Sequence, residues 1–461
     1  MEDTVVLYPS QGHLSSMLEL GKLILKQRPS VSVTFVMSNP STELVSANPF
    51  ITFIPLPEVS LPAPITSFLD LVASFFEIPK LNNPDLHQTL SSLSSSSNIK
   101  ALIIDFFCSP AFEFLSSRLD IPIYYFNSSG ACGLSMFLYT PTLDKNTTES
   151  LKDLDILVEV PGAPRVPSKD IPPVLCDRSH RVYQYFVDTG KQMFKSAGVV
   201  VNTFEALEPN ACKAIQERKC FPNGPLPPIF CVGPLAMTGE SRKENECLTW
   251  LDSQPSRSVL YLCFGSMGVF SSSQLKEMAI GLEKSGVRFL WAVRAPKEDG
   301  QDKARKTGSI APEPCLESIF PEGFLDRTKD RGFMVKSWAP QLAILNHGSV
   351  GGFVTHCGWK SILEAVCAGV PMLGWPLYAE QKMNSVFLVE EMKVGLAVKL
   401  EDEDDFVSAA ELEERVTELM NSKKGEALRE RVKAVREAAV VAKSEGGSAY
   451  VAMEGLVASF R

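Results

Sequence analysis

Histidine is scarce in this chain, with five residues in 461. Five imidazoles cannot furnish several zinc sites, and none of the eleven cysteines stands in a Cys-x-x-Cys pair. The odd, scattered set reads as reduced, buried thiols of a cytosolic enzyme. Basic charge is also short: 45 Lys and Arg face 54 Asp and Glu, a net charge of −9. A protein that wraps nucleic acid carries a basic footprint, so that class loses weight. No stretch approaches 18 uninterrupted apolar residues, so no transmembrane helix is expected. The start, Met1-Glu2-Asp3-Thr4 before Val5-Val6-Leu7, is acidic and too short in apolar residues for a secretory signal. A cytoplasmic location is therefore expected, and the sequons at Asn127 and Asn146 read as chance matches. Several motifs are missing as well. There is no GxGxxG after a strand, which disfavours a nicotinamide dehydrogenase. There is no GxxxxGK[ST], no GxSxG elbow and no HExxH, so P-loop, nucleophile-elbow and zincin chemistry are disfavoured too.

What is present is an alternation of strand, turn and helix. Hydrophobic residues are 45% and charged residues 21%, the balance of an ordinary globular protein. Short β-rich runs fall at Thr4–Tyr8, Val31–Met37, Ile51–Ile54, Ala101–Ile104 and Ile123–Phe126, with helical spacing between several of them. Val199–Asn202 and Ile229–Val232 follow, and the pattern restarts at Val259–Phe264. Further strands are expected at Phe289–Arg294, Phe333–Val335, Gly352–Thr355 and Val370–Gly374. Charged helices are expected at Ala409–Met420 and Glu426–Ala442. Such alternation predicts parallel sheets covered on both faces, in an α/β chain of two doubly wound domains. The expected division is residues 1–236, a linker at 237–256, a second domain at 257–443, and a final helix at 444–461 that returns to the first domain. Residues 295–317 read as a mobile insertion.

One segment, Trp338 to Gln381, concentrates chemistry: WAPQLAILNHGSVGGFVTHCGWKSILEAVCAGVPMLGWPLYAEQ. It reads as strand Gly352–Thr355, turn, and helix Ser361–Ala368, then another strand. Free N–H groups at a helix start suit a phosphate. Gly358 permits close backbone approach, and His356 and Ser361 add donors. Trp338 offers a flat face to a base. Glu364 can take vicinal hydroxyls, and Glu380 and Gln381, at the end of the next strand, can take sugar hydroxyls. The set suits a sugar nucleotide.

This segment closely resembles the signature box of plant UDP-dependent glycosyltransferases, glycosyltransferase family 1. Similarity extends over essentially the whole chain, through PSQGHLSSMLELGKLI, VNTFEALEP, CLTWLDSQP and LCFGSMG. The pattern is most similar to the branch that glycosylates flavonoids and related phenols. The resemblance implies a GT-B fold, two Rossmann-like domains facing across a cleft. It implies that Trp338 stacks on uracil while the Ala339 backbone reads its edge. Gln341 and Glu364 would hold the ribose; Ser266, His356, Gly358 and Ser361 the diphosphate; Trp359, Glu380 and Gln381 the hexose. UDP-glucose is the implied donor, as a co-substrate rather than a cofactor, with no metal. Gln381 accompanies glucose donors in the family, and Trp359 in place of Arg argues against a glucuronic acid donor. Lys360 stands where the family usually has Asn. It is expected to keep donor binding while changing affinity or donor choice, and an unchanged donor Km and preference in Lys360→Asn would refute that.

The implied catalytic pair is His13 and Asp105. His13 follows the first strand at a helix N-terminus, where the dipole disfavours imidazolium, so it should accept a proton. Asp105 ends another strand on the same edge and would orient and support it. Gly12, Ser128, Phe106, Phe107 and Tyr378 are candidate sugar or acceptor contacts. Phe106, Phe107, Tyr124, Phe137, Tyr139 and Phe186 are the aromatics expected near a planar phenolic acceptor. The expectation is inverting O-glucosylation of a flavonoid, chalcone or other small phenol by a monomer. C-glycosylation of a phenolic ring, transfer to a terpenoid or hormone, and an inactive nucleotide-sugar binder remain as alternatives, the last disfavoured by the intact His13 and Asp105.

Overall fold

The structure, a computed structural model, describes residues 1–61, 64–221, 226–236, 245–296, 314–336, 338–401 and 405–460. The chain forms two compact units, one of residues 1–236 with 439–461 and one of residues 237–438.

The first unit is built on a parallel sheet of β1 (Glu2–Tyr8), β2 (Ser32–Ser38), β3 (Thr52–Leu56), β4 (Ser97–Asp105), β5 (Ile123–Asn127), β6 (Gly198–Val201) and β7 (Ile229–Cys231). The strand order is β3-β2-β1-β4-β5-β6-β7. Helices cover both faces, so the central strands need apolar residues at every position rather than at alternate ones. Val5–Leu7, Ala101–Ile104 and Val199–Val201 are accordingly buried throughout. The order reverses between β1 and β4, which opens a crevice at the carboxyl ends of those two strands. Tyr8 pairs with Ile104 there, so the loops after Tyr8 and after Asp105 start side by side.

The last helix, Ser448–Ala458, belongs to this unit. Met453, Leu456, Val457 and Phe460 join Leu20, Tyr124 and Phe230 in its core. Tyr124 donates to the Ser459 carbonyl at 3.0 Å and packs edge-on against Phe460. Tyr124 is thus a core anchor for the chain end and not one of the acceptor-facing aromatics expected.

The second unit repeats the design with β8 (Val259–Cys263), β9 (Arg288–Val293), β10 (Gly332–Lys336), β11 (Val350–Thr355), β12 (Met372–Gly374) and β13 (Gly395–Ala397). The order is β10-β9-β8-β11-β12-β13, all parallel. Its crevice falls between β8 and β11. Leu262, Phe289, Trp291, Val354, Leu373 and Leu419 are among the residues of its core. The charged stretches near the end form helices Ala409–Asn421 and Lys423–Lys443.

Three features differ from the expectations. The segment taken as linker contains helix Glu246–Asp252, capped by the Asn245 side chain and buried through Cys247, Leu248 and Leu251. The strand Gly395–Ala397 has no counterpart in the sequence reading, because three residues opened by glycine carry no periodicity. The helix after Gly358 starts at Trp359, since Gly358 itself occupies the cap. Most of the expected insertion, 297–313, lies outside the described residues; Leu316–Ile319 near its end is a helical turn.

Candidate active site

In the first unit the crevice gathers His13, Asp105 and Ser128. A short 3-10 turn, Gln11–His13, follows β1 and delivers His13 to the cap of helix Leu14–Gln27. Asp105 is the last residue of β4 and is wholly buried. Its Oδ2 lies 2.8 Å from His13 Nδ1, and its Oδ1 accepts the Phe107 N–H at 3.0 Å. Both carboxylate oxygens are therefore engaged, one on the imidazole and one on the loop behind it. A carboxylate on Nδ1 favours the tautomer with the proton there and leaves Nε2 as the basic nitrogen. The His13 ring is about a quarter exposed, at 27%. Burial and the Asp105 charge together push the neighbouring Cys108 thiol well above its ordinary value.

Aromatic rings pack around this pair. Phe107 stacks near His13 with centroids 5.4 Å apart and planes 23° apart. Phe76 meets Phe107 edge-on at 5.1 Å, and Phe106, Phe137 and Phe186 form a second cluster. Ser128, half-buried, lies just past β5, next to β4. Gly12 is exposed, and a Cβ there would meet nothing within 4 Å. The sequon residue Asn127 is buried, with its amide donating to the Ser129 carbonyl at 3.0 Å, so its nitrogen is not available for modification.

One residue without an assigned role in the sequence reading organises this edge. Glu208 is buried and accepts the N–H groups of Ala131 and Cys132, both at 2.8 Å, and the Thr203 hydroxyl. Those N–H groups open helix Ala131–Asn146, so a carboxylate sits on the positive end of that dipole and fixes the loop carrying Ser128. Burial nevertheless raises its pKa above the ordinary value, against those hydrogen bonds. The run VNTFEALEP contains this residue and its Thr203 partner, but the backbone N–H groups it accepts lie 77 and 76 positions away, beyond any local signal.

In the second unit the turn His356–Gly358 follows β11. His356 is 7% exposed, and burial pushes its pKa down to about 4. Its Nδ1 has no hydrogen-bond partner among the described residues. The ring is held between two glycines: an alanine Cβ at Gly265 would lie 2.7 Å from Nε2, and one at Gly358 only 2.5 Å. Cys357 adopts a left-handed conformation, φ 63°, and its carbonyl accepts the Asn384 amide at 3.0 Å. Asn384 is a second structural contributor that no sequence signal marked.

Helix Trp359–Ala368 has no side chain capping its first turn. Its first turn, with Ser361 in it, begins directly after the turn His356–Gly358. Gln341 Nε2 donates to Ser361 Oγ at 3.0 Å and to Glu364 Oε2 at 2.7 Å, which ties the start of one helix to the first turn of another. Lys360 does not extend past the site. Its ammonium lies 3.8 Å from Glu364 Oε1, one turn along its own helix, and the side chain is 47% exposed. Trp338 is 68% exposed, with a large ring surface open to solvent, while Ala339 is buried. Ser266 is exposed on the loop after β8.

Glu380 and Gln381 are not at a strand end, as the sequence suggested. They lie six and seven residues beyond Gly374, at the cap and first position of helix Gln381–Glu390. Gln381 Oε1 accepts the N–H groups of Leu377 and Tyr378 at 2.9 and 3.0 Å. Its carbonyl is committed to the loop, and its side chain also hydrogen-bonds the Tyr378 phenol. The Tyr378 ring lies 6.2 Å from that of His356, and burial raises its phenol.

Among the described residues no group of three or more His, Cys, Asp or Glu side chains forms a metal cluster, and no helix is long and apolar enough to cross a membrane. All eleven cysteines are unbridged, and only Cys315 is exposed.

A buried carboxylate on an imidazole in one unit, and an open helix start beside a buried neutral histidine in the other, are the parts of a sugar-nucleotide enzyme. Comparison with known proteins agrees. The protein family described as UDP-glucoronosyl and UDP-glucosyl transferase matches residues 216–431. UDP-glycosyltransferase 88B1 of Stevia rebaudiana is 48% identical over 97% of this chain and 96% of its own. The chain belongs to the UDP-glycosyltransferases. An anthocyanidin 5,3-O-glucosyltransferase of a Rosa hybrid cultivar is likewise 48% identical, covering 98% of both chains. The solved structure of a Polygonum tinctorium UDP-glucosyltransferase capable of glucosylating indoxyl matches with a TM-score of 0.89 at 34% identity. It covers 100% of this chain and 99% of that one. This glycosyltransferase therefore has the GT-B fold of its relatives, two Rossmann-like units, and a UDP-sugar as its donor.

Proposed function

We propose that this glycosyltransferase transfers glucose from UDP-glucose to a hydroxyl of a small aromatic acceptor, of the flavonoid, chalcone or related phenol class, with inversion at the anomeric carbon. The first unit holds the acceptor and the second holds the donor. His13 Nε2 takes the hydroxyl proton as the oxygen attacks the anomeric carbon. The bond from that carbon to the diphosphate oxygen breaks, and UDP leaves with the electron pair. Asp105 keeps the proton on Nδ1 and stabilises the imidazolium that forms. The charge growing on UDP is met by the N–H groups opening helix Trp359–Ala368, by Ser361 and Ser266, and by the neutral His356 as a donor. Trp338 stacks on uracil, with Ala339 reading its edge. Gln341 and Glu364 hold the ribose, and Trp359, Glu380 and the Gln381 amide hold the glucose.

The observation that carries this reading is the 2.8 Å contact between His13 Nδ1 and the wholly buried Asp105. A carboxylate placed there orients the imidazole and can charge-balance it when Nε2 takes a proton, while its other oxygen holds the loop behind it. The cluster of phenylalanines on the same edge supports a planar acceptor. The relatives' acceptors, an anthocyanidin and indoxyl by their names, support an aromatic one. The reading assigns the leaving-group charge to hydrogen-bond donors rather than to a cation. It places the enzyme in the cytoplasm as a monomer, in keeping with its unbridged cysteines.

The test is a mass-spectrometric screen of the full chain. UDP-glucose, UDP-galactose, UDP-xylose and UDP-glucuronic acid are paired with flavonoids, chalcones, simple phenols and triterpenoids, with and without EDTA. Hexose addition to a phenol hydroxyl, retained with EDTA and lost in His13→Ala, is the expected result. Acid-stable products, a preference for glucuronic acid, or full activity in His13→Ala would each overturn a named part of the reading.

A further inference from the structure

The second unit carries a recess of about 210 Å³ at the end of its sheet opposite the turn His356–Gly358. Arg257 lies just ahead of β8, Val350 opens β11, and Pro371 immediately precedes β12; all three line it. The six residues of β11 separate this edge from His356, on the order of 20 Å at about 3.3 Å per residue. The recess is therefore no part of the donor machinery.

Its chemistry is unusual for a chain with a net charge of −9. Arg257, Arg429, Lys433 and Arg436 all line it. The last three stand at i, i+4 and i+7 of helix Lys423–Lys443 and share one face. Arg429 is occupied, donating to the Leu419 and Met420 carbonyls at 3.1 and 3.4 Å. The side chains of Arg257, Lys433 and Arg436 make no hydrogen bond or ion pair with any described residue. His347 on the same wall is already bound to Asp252 at 3.0 Å and Ser349 at 2.8 Å.

The simplest structural use for cations here would be to cap helix Trp359–Ala368, which ends at the recess. Two of the last four carbonyls of that helix are already met by the backbone. Gly369 N–H donates to Val366 and Val370 N–H to Ala365, at 3.1 and 3.0 Å, closing the last turn with the backbone itself. Arg257, Lys433 and Arg436 are exposed and screened by water, yet three like charges lining one hollow leave it electropositive. Arg257 is moreover held in a left-handed conformation, φ 52°, where a non-glycine residue is strained. Its carbonyl would lie 2.1 Å from any Cβ at Gly351, so the close fit of that loop on β11 is built in.

We infer that this recess binds a small multivalent oxyanion of the phosphate class: inorganic phosphate, pyrophosphate or a soluble phosphate monoester. The anion neutralises that charge and takes charge-assisted hydrogen bonds from Arg257, Lys433 and Arg436. A soluble phosphate and a lipid headgroup share this chemistry, and the vesicle arm of the experiment separates them.

The experiment is titration calorimetry of pyrophosphate into the full chain at constant ionic strength, with UDP present in excess to fill the donor site. One equivalent of pyrophosphate is expected to bind. Lys433→Ala with Arg436→Ala, and separately Arg257→Ala on another element, are each expected to weaken it about tenfold or more, the loss of one or two charged hydrogen bonds. UDP affinity should stay within about twofold, since no donor-site residue is changed. Circular dichroism melts establish that both variants are folded. Absence of pyrophosphate binding, or equal binding in both variants, overturns the inference. So does binding to phosphatidic acid vesicles without binding to soluble pyrophosphate. Failure of UDP to bind would count against the donor reading alone, because the variants still report on the recess.

Discussion

His356 makes the chain's stability depend on acid in a way that the wild type and one variant separate. The unfolded imidazole takes its proton near pH 6.5, whereas burial holds the folded one at about 4. Between those values the unfolded state binds the extra proton. The stability tied to a neutral His356 is therefore complete above pH 6.5 and is lost progressively as pH falls toward 4. A gap of about 2.5 pH units at 1.36 kcal/mol each amounts to about 3 kcal/mol. Urea unfolding of wild type and His356→Asn between pH 7.5 and 4 measures it. The carboxylates titrate in both proteins, so they cancel in the difference. The wild type should lose about 3 kcal/mol more than the variant over that range, with a slope of about 1.2 kcal/mol per unit around pH 5. Parallel curves would refute the argument that burial, and not an unseen partner, controls this ring. The same geometry predicts proton uptake with UDP. A diphosphate beside an imidazole whose Nδ1 has no hydrogen-bond partner among the described residues raises its pKa, so UDP should bind more tightly as pH falls from 7 to 5, with buffer-dependent binding heats. No uptake in the wild type would mean that the diphosphate does not lie against His356.

Five other outcomes follow from particular contacts. Asp105→Asn removes the carboxylate from His13 Nδ1 and should lower kcat by about 10²–10⁴ with little change in donor Km, read by steady-state kinetics. Gly358→Ala places a Cβ 2.5 Å from His356 Nε2 at an ordinary φ of −64°, so its effect is steric: about 1–3 kcal/mol of stability in a denaturation curve, with weaker UDP binding. Gly12→Ala meets nothing within 4 Å and should melt like the wild type; a loss of activity there would then report close backbone approach by substrate. Glu208→Gln leaves one buried donor facing another at the start of helix Ala131–Asn146 and should cost about 1–3 kcal/mol, visible as faster amide exchange at Ala131 and Cys132. Lys360→Asn frees the Glu364 carboxylate of its 3.8 Å neighbour and should shift donor Km or donor ranking in the sugar screen.

The parallel strands were legible because burial on both faces writes them as unbroken apolar runs, and Val5–Leu7 or Ala101–Ile104 need no partner to be seen. The helices were less so. Phe68–Leu81 and Ala131–Asn146 each carry an internal proline, Pro79 and Pro141, which in sequence reads as a break. Both are packed among other helices and have several buried faces, so periodicity is weak where tertiary contact is strong. Tyr124 shows the same limit within a strand. Alternation along Ile123–Asn127 sends Tyr124 and Phe126 to one face and Tyr125 to the other. Which of those faces receives the chain's final helix is decided by residues more than 300 positions away, as the Tyr124–Ser459 bond records.

The box residues divide on the same principle. His356, Gly358 and Ser361 were placed by sequence because they share one strand–turn–helix, so their spacing is their geometry. Gln341 was assigned to the ribose with no local reason, and the fold supplies one: a single amide that spans Ser361 and Glu364 across 20 and 23 positions. Lys360 is the converse. Its pairing with Glu364 is an i, i+4 contact that helical spacing alone contains. The cation is thereby tied to the carboxylate proposed for the ribose, so any effect of Lys360 on the donor has two routes, through Glu364 and through its own charge. Lys360→Met separates the two routes. If the ion pair matters, UDP affinity changes while the discrimination among UDP-sugars is retained; if the charge reads the sugar directly, discrimination changes and UDP affinity does not.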